Sequence, residues 1–110
     1  MNTNWISVKE KLPTVEVEVL VYTKRKTITT AMYEDGTINE ENSEWHWNEL
    51  WNWNDVKYDV ENDQYIIPKG WWEYKHYNPD DVYNNSIEAD GDEVLFWQPL
   101  PKEPREIKEV

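Results

Sequence analysis

Val15-Glu16-Val17-Glu18-Val19-Leu20-Val21-Tyr22-Thr23 decides how the rest of the chain is read. Val17, Val19 and Val21 alternate with Glu16, Glu18 and Leu20. A period of two sends successive side chains to opposite faces, so a half-buried strand is expected over 15–23. Thr23-Lys24-Arg25-Lys26 is polar and turn-like, after which Ile28, Thr30 and Met32 alternate with Thr29, Ala31 and Tyr33. β-Branched residues dominate that stretch and suit a pleated surface, which makes it a second strand. The short connection between the two predicts an antiparallel hairpin. Glu34-Asp35-Gly36 then ends the hairpin in a turn where glycine supplies a positive φ.

The tryptophan cluster answers a second test of period. Trp45, Trp47, Trp51 and Trp53 are separated by His46, Asn48, Leu50 and Asn52. At about 100° per residue the four indoles scatter around a helix, whereas on a strand they share one face. A strand is expected, with Glu49 interrupting the apolar row at a bulge or a split. Asn54 to Asp63 reads as an acidic loop, and Gln64-Tyr65-Ile66-Ile67 as a short apolar stretch stopped by Pro68 and Gly70. Trp71 to Tyr77 reads as a strand, Asn78 to Asp92 as the longest loop, and Val94 to Trp97 as the last strand. Pro99, Pro101 and Pro104 exclude a helix and favour an extended tail. The best helical candidate is a short turn near Ser7 to Leu12. The class expected is mainly β, with α+β as the alternative. The architecture is one small twisted antiparallel sheet of four to six strands, with an aromatic core and both chain ends packed across it. A single domain over 1–104 with a charged tail over 105–110 follows.

Composition sets the limits on function. The chain has 110 residues, enough for one core. Eleven Lys and Arg against 23 Asp and Glu give a net charge of −12. That argues against nucleic-acid binding by phosphate neutralisation and against docking on an anionic membrane. There is no cysteine, so disulfides, thiolate metal sites and thiol catalysis are excluded. No apolar run reaches the roughly 20 residues of a membrane span. Met1-Asn2-Thr3-Asn4-Trp5 lacks the pattern of a secretion signal, so a cytoplasmic protein is expected. Only 38% of residues are hydrophobic, a composition leaning towards disorder. Eight Trp and seven Tyr oppose that, because each buried ring removes roughly 150–250 Å² from water. The core is therefore expected to be aromatic, with some rings left partly exposed.

The charge is unevenly spread. Residues 1–30 hold five bases and three acids, and residues 101–110 hold three of each, leaving three bases and 17 acids in 31–100. That acidic segment also contains Trp45, Trp47, Trp51, Trp53, Trp71 and Trp72. A mixed acidic and aromatic surface suits protein binding, and the plain alternative is acidic loops that keep a Trp-rich chain soluble.

A search for chemistry returns little. His46 and His76 sit in aromatic stretches, and Ser7, Ser43 and Ser86 lie in no nucleophile elbow. Asp59, Glu61 and Asp63 have the first spacings of a calcium loop, but Gln64 and Gly70 stand where such a loop needs Gly and Glu. Asp80-Asp81 and Asp90-Gly91-Asp92-Glu93 are clusters without a ligand framework. With only Gly36, Gly70 and Gly91, there is no glycine loop to cradle a phosphate. No cofactor is expected, and a non-catalytic protein is.

The two ends carry a family pattern. Trp5-Ile6-Ser7-Val8-Lys9-Glu10-Lys11-Leu12-Pro13 opens the chain, and Val94-Leu95-Phe96-Trp97-Gln98-Pro99-Leu100-Pro101-Lys102-Glu103-Pro104 closes it. This resembles the DUF551 family, small domains of unknown function found largely in bacteriophages and prophages. The likeness covers about the first 35 and last 15 residues, and Ile67-Pro68-Lys69-Gly70-Trp71-Trp72-Glu73 is similar to an internal stretch of longer members. Phe96 stands where that family usually has His. Read physically, Trp5 and Trp97 are expected to stack into one plug that closes the core. The resemblance implies a phage accessory protein inside a bacterial host cell.

Together these readings point to a host bacterial protein as the partner. Direct nucleic-acid binding and membrane binding are not expected, and an exposed strand edge offers a route to a homodimer. The expected binding residues are Trp45, Trp47, Trp51, Trp53, Trp71 and Trp72 with Glu44, Glu49, Asp55, Asp59, Glu61 and Asp63. A sharper form is DNA mimicry, with the carboxylates occupying a basic groove of a defence or transcription protein. The alternative is a small-ligand binder that stacks a nucleotide or a sugar on exposed indoles.

Overall fold

The computed structural model describes residues 4–47, 50–53, 56–78 and 81–101. Eight strands run in chain order: β1 Ile6–Ser7, β2 Val19–Thr23, β3 Ile28–Glu34, β4 Lys57–Asp59, β5 Gln64–Ile66, β6 Gly70–Asn78, β7 Asp81–Ser86 and β8 Val94–Pro99. Six form one antiparallel sheet in the order β1-β8-β2-β3-β6-β7, and β4 and β5 form a separate hairpin. The helical content is one 3-10 turn, Leu50–Asn52. No helix among the described residues is long and apolar enough to cross a membrane.

The predicted hairpin is the centre of the sheet. β2 and β3 pair as Val19↔Ala31, Leu20↔Thr30, Val21↔Thr29 and Tyr22↔Ile28. Its turn is closed by Lys26 N–H to Thr23 O (2.8 Å) and Thr23 N–H to Thr27 O (3.0 Å). The strand begins at Val19 rather than at 15, because Glu16 adopts a φ of 66° and leaves the extended conformation. Its N–H turns to Tyr33 O (2.9 Å), and Val17 is left exposed.

Alternation along the strands gives the sheet a core on each face. On one, Val19 and Val21 meet Ala31, Tyr33, Trp71, Ile87, Val94 and Trp97, with Ile6, Val8 and Val15 packed against them. On the other, Met32 and Trp72 meet Trp47, Leu50 and Ile67, edged by Ile38, Trp45, Trp53, Val56 and Tyr65. Thus β3 and β6 are sandwiched, which is why Met32 and Trp72 are almost fully buried although they neighbour buried Ala31 and Trp71. Burying a large apolar side chain contributes roughly 1.5–3 kcal/mol, so the second core holds residues 38–67 firmly on the sheet. Trp72 receives the edges of Trp47 and Trp53, with ring centres at 5.0 and 4.8 Å.

Three expectations need correction. The 45–53 stretch is not a strand: Trp47 and Leu50 are both buried, so the alternation fails, and Trp53 N–H closes onto Leu50 O (3.0 Å). Individual indole hydrogen bonds, rather than a strand ladder, hold that stretch in place. The 78–92 stretch is not wholly a loop, since β7 pairs with β6 from Trp72↔Ser86 to Asn78↔Asp81. An edge strand needs no apolar alternation, and Asn85 Nδ2 there donates to Glu73 (2.9 Å) and Asp90 (2.7 Å). The chain ends do not pack across the sheet but join it as neighbours, Ile6↔Trp97 and Ser7↔Phe96. Trp97 enters the core and donates its indole N–H to Lys11 O (2.8 Å), whereas Trp5 sets its ring against Tyr22 (6.1 Å). The expected turn after Ser7 is present, closed by Glu10 N–H and Lys11 N–H on Ser7 O (3.0 and 3.1 Å).

Candidate functional site

Residues 38–67 form a lobe on one sheet face, and this lobe contains most of the sequence-predicted binding residues. Ile38 to Glu40 runs beside β5: Ile67 N–H donates to Ile38 O (2.9 Å) and Glu40 N–H to Tyr65 O (3.0 Å). Asn39, almost fully buried, then turns the chain by accepting Asn42 N–H on its side-chain oxygen (2.9 Å). The β4–β5 hairpin forms the far end. Asp59 organises its turn by accepting the side-chain amide of Asn62 (2.7 Å), a bond that holds its carboxyl below the usual range.

What fastens the lobe is a carboxylate that the sequence reading did not single out. Glu16 is nearly buried and accepts Glu44 N–H at 2.8 Å and the hydroxyl of Ser43. Its backbone oxygen takes the indole N–H of Trp45 (2.7 Å), and Ser43 Oγ takes the indole N–H of Trp47 (2.8 Å) and the backbone N–H of Trp45 (3.1 Å). Buried polar groups are expensive unless paired, so this network fixes both rings and the lobe's entry together. Beside it stands Glu34, fully buried at the end of β3, with neither carboxyl oxygen in a hydrogen bond of good geometry. Burial, a looser contact with the Glu16 carboxyl, and the charges of Glu16 and Asp35 push its pKa up to about 9. Its position was legible: continuing the alternation Met32, Glu34 puts it on the face of the second core. The sequence reading had ended that strand in a turn and did not carry the pattern forward.

The twelve expected binding residues divide. Trp47, Trp71 and Trp72 are core residues, 8%, 5% and 2% exposed, and offer no surface for stacking. Trp45 and Trp53 are half-buried, Trp45 with its ring on Tyr74 (4.7 Å) and Trp53 on Trp72. Trp51 alone of the six faces solvent, at 60%. Glu44, Glu61 and Asp63 are exposed, Asp59 is half-buried in its turn, and Glu49 and Asp55 lie outside the described residues. The reading missed Tyr58 and Val60 on the β4–β5 hairpin, 45% and 80% exposed. The lobe's outer surface therefore combines Trp51, Tyr58 and Val60 with Glu41, Glu44, Glu61 and Asp63.

Cavities add little chemistry. One of about 130 Å³ gathers Glu73, Asp90, Asp92 and Arg25. Its carboxylates are already engaged: Glu73 with Thr29 and Asn85, Asp90 with Asn85, Asp92 with Arg25 N–H. Among the described residues no group of three or more His, Cys, Asp or Glu is arranged to hold a metal ion. No family model matches the chain, and neither a curated protein nor a solved structure matches it.

Proposed function

We propose that this chain is a non-catalytic accessory protein that binds a host bacterial protein through the outer surface of the 38–67 lobe. The observation that carries the reading is the pairing on one lobe of three exposed apolar side chains, Trp51, Tyr58 and Val60, with exposed carboxylates. Tyr and Trp are the commonest anchors of protein interfaces, and a charged rim steers encounter. The segment 31–100 holds 17 acids and three bases, so the complementary partner is basic. A nucleic-acid groove supplies that chemistry, and the lobe then acts as a DNA mimic. The likeness of the two chain ends to DUF551 domains supports a phage setting and a host defence or transcription protein as the target. Stacking of a small ligand on several indoles is the weaker reading, because Trp51 is the single indole of the six that is mostly exposed.

The test is capture from host lysate on the immobilised protein, followed by elution with duplex DNA. The reading expects a nucleic-acid-binding protein that duplex DNA releases and that Trp51→Ala or the pair Glu61→Gln, Asp63→Asn fails to retain. Empty captures at low salt, or a captured protein indifferent to both variants and to DNA, would sink it.

A further inference from the structure

We propose that Glu16 and Glu34 share a single proton across their buried contact, and that this proton is the latch holding the 43–47 end of the lobe to the sheet. The inference concerns how the lobe is fastened and stands whether or not the lobe binds a host protein. Two carboxyls meet here in a place that water does not reach: Glu34 is 0% exposed and Glu16 7%. Glu16 already accepts from Ser43 and Glu44 N–H, so its oxygens are satisfied as a carboxylate. Glu34 has no donor on either oxygen, so the neutral acid suits it, with its proton directed at Glu16. Two adjacent buried negative charges are not tolerated, and one proton between two carboxyls is the usual resolution.

The surroundings offer no other neutralisation. On its own strand Glu34 is followed by Asp35, another acid that disfavours ionisation. From the 13–17 segment the facing group is Glu16, and from the lobe it is the Ser43 hydroxyl and the Glu44 backbone, with the Glu44 side chain exposed. Across β6 the registered partner is Gly70, whose neighbour Trp71 gives its N–H to Glu88 (3.0 Å). The groups acting on Glu34 are thus carboxylates, and burial with those charges delays its ionisation to about pH 9.

When the proton leaves, two charges face each other and water must enter. β3 cannot yield, because it is bonded to β2 on one side and β6 on the other. The lobe side can, since it is held at this point by single hydrogen bonds from Ser43, Glu44 and Trp45. Detachment of Ser43 to Trp47 is the expected response to alkali, and the ratio of ionised to neutral Glu34 grows tenfold per pH unit.

Hydrogen exchange of the indole N–H groups, read by NMR on the full chain from pH 6 to pH 10 and corrected for intrinsic rates, tests this. Trp45 and Trp47 report the latch, while Trp72 (to Pro68 O) and Trp97 (to Lys11 O) serve as controls elsewhere in the sheet. The wild-type protein should lose protection at Trp45 and Trp47 before Trp97, with at least a tenfold gain in relative exchange across the upper part of the range. Glu34→Gln keeps the shape and a donor towards Glu16 and should abolish that gain. Glu16→Gln removes the facing charge and should move the transition to lower pH. Equal behaviour of all four indoles, an unchanged transition in Glu34→Gln, or a Glu34→Gln protein that does not fold would each overturn the proposal.

Discussion

Replacing Glu34 by glutamine should make this protein more stable at neutral pH, and the size follows from the site. In the unfolded chain the carboxyl ionises near 4.5; in the folded protein burial, the Glu16 contact and the charges of Glu16 and Asp35 delay that to about 9. Below pH 4.5 both states carry the proton and the group contributes nothing to pH dependence. Between 4.5 and about 9 the folded state holds a proton that the unfolded state has released, so stability falls as pH rises. Above that window both states are ionised and the loss is complete. The slope is about 1.4 kcal/mol per pH unit. At pH 7, some 2.5 pH units above 4.5, the wild-type protein has therefore lost about 3 kcal/mol that a neutral isostere retains. Urea unfolding of both proteins at several pH values between about 4 and 8 isolates this, because other carboxylates titrate alike in each and cancel in the difference. The two should coincide near pH 4 and diverge by about 3 kcal/mol at pH 7, with Glu34→Gln the more stable. Parallel curves, or a Glu34→Gln protein less stable at every pH, would refute a neutral buried Glu34.

Other outcomes follow from the same geometry. Ser43→Ala strands the indole N–H of Trp47, the backbone N–H of Trp45 and one oxygen of Glu16, and should cost about 2–4 kcal/mol by thermal or urea unfolding. Trp72→Ala opens a cavity between Trp47 and Trp53 and should cost about 3–5 kcal/mol by the same measurement. Trp51→Ala should change stability by less than about 0.5 kcal/mol, because that indole is 60% exposed, yet weaken capture of the host partner about tenfold or more.

Much of the fold could be read from short-range pattern. Val19, Val21, Ala31 and Met32 announce their strands and faces by alternation, and the tight β2–β3 connection follows from four polar residues. Trp71 and Trp72 read correctly as adjacent strand positions on opposite faces. The 45–53 stretch misled because its odd-numbered indoles satisfy the period of two by coincidence. What places them is long-range pairing: Trp45 to Glu16 and Trp47 to Ser43, a serine that Glu16 itself fixes. No local pattern in the sequence reports a contact across 29 residues. The candidate surface was legible in kind but not in membership. Composition indicated acids and rings together, whereas the choice of Trp51, Tyr58 and Val60 over Trp47, Trp71 and Trp72 depends on which face of the lobe meets the sheet. Glu34 was within reach of the alternation, and Glu16 was not, since its positive φ breaks the strand that the valines suggest.

The account rests most heavily on the lobe's acidic, aromatic surface meeting a basic partner, and the salt dependence of that complex addresses it directly. Dissociation constants for the captured host protein, measured from about 50 mM to about 500 mM salt, should rise steeply and in step with the number of carboxylates in contact. Removing charge at Glu61 and Asp63 should flatten the slope, whereas Trp51→Ala should weaken binding at every salt concentration without changing it. A dissociation constant insensitive to salt, or a slope untouched by the loss of those two charges, would contradict the account.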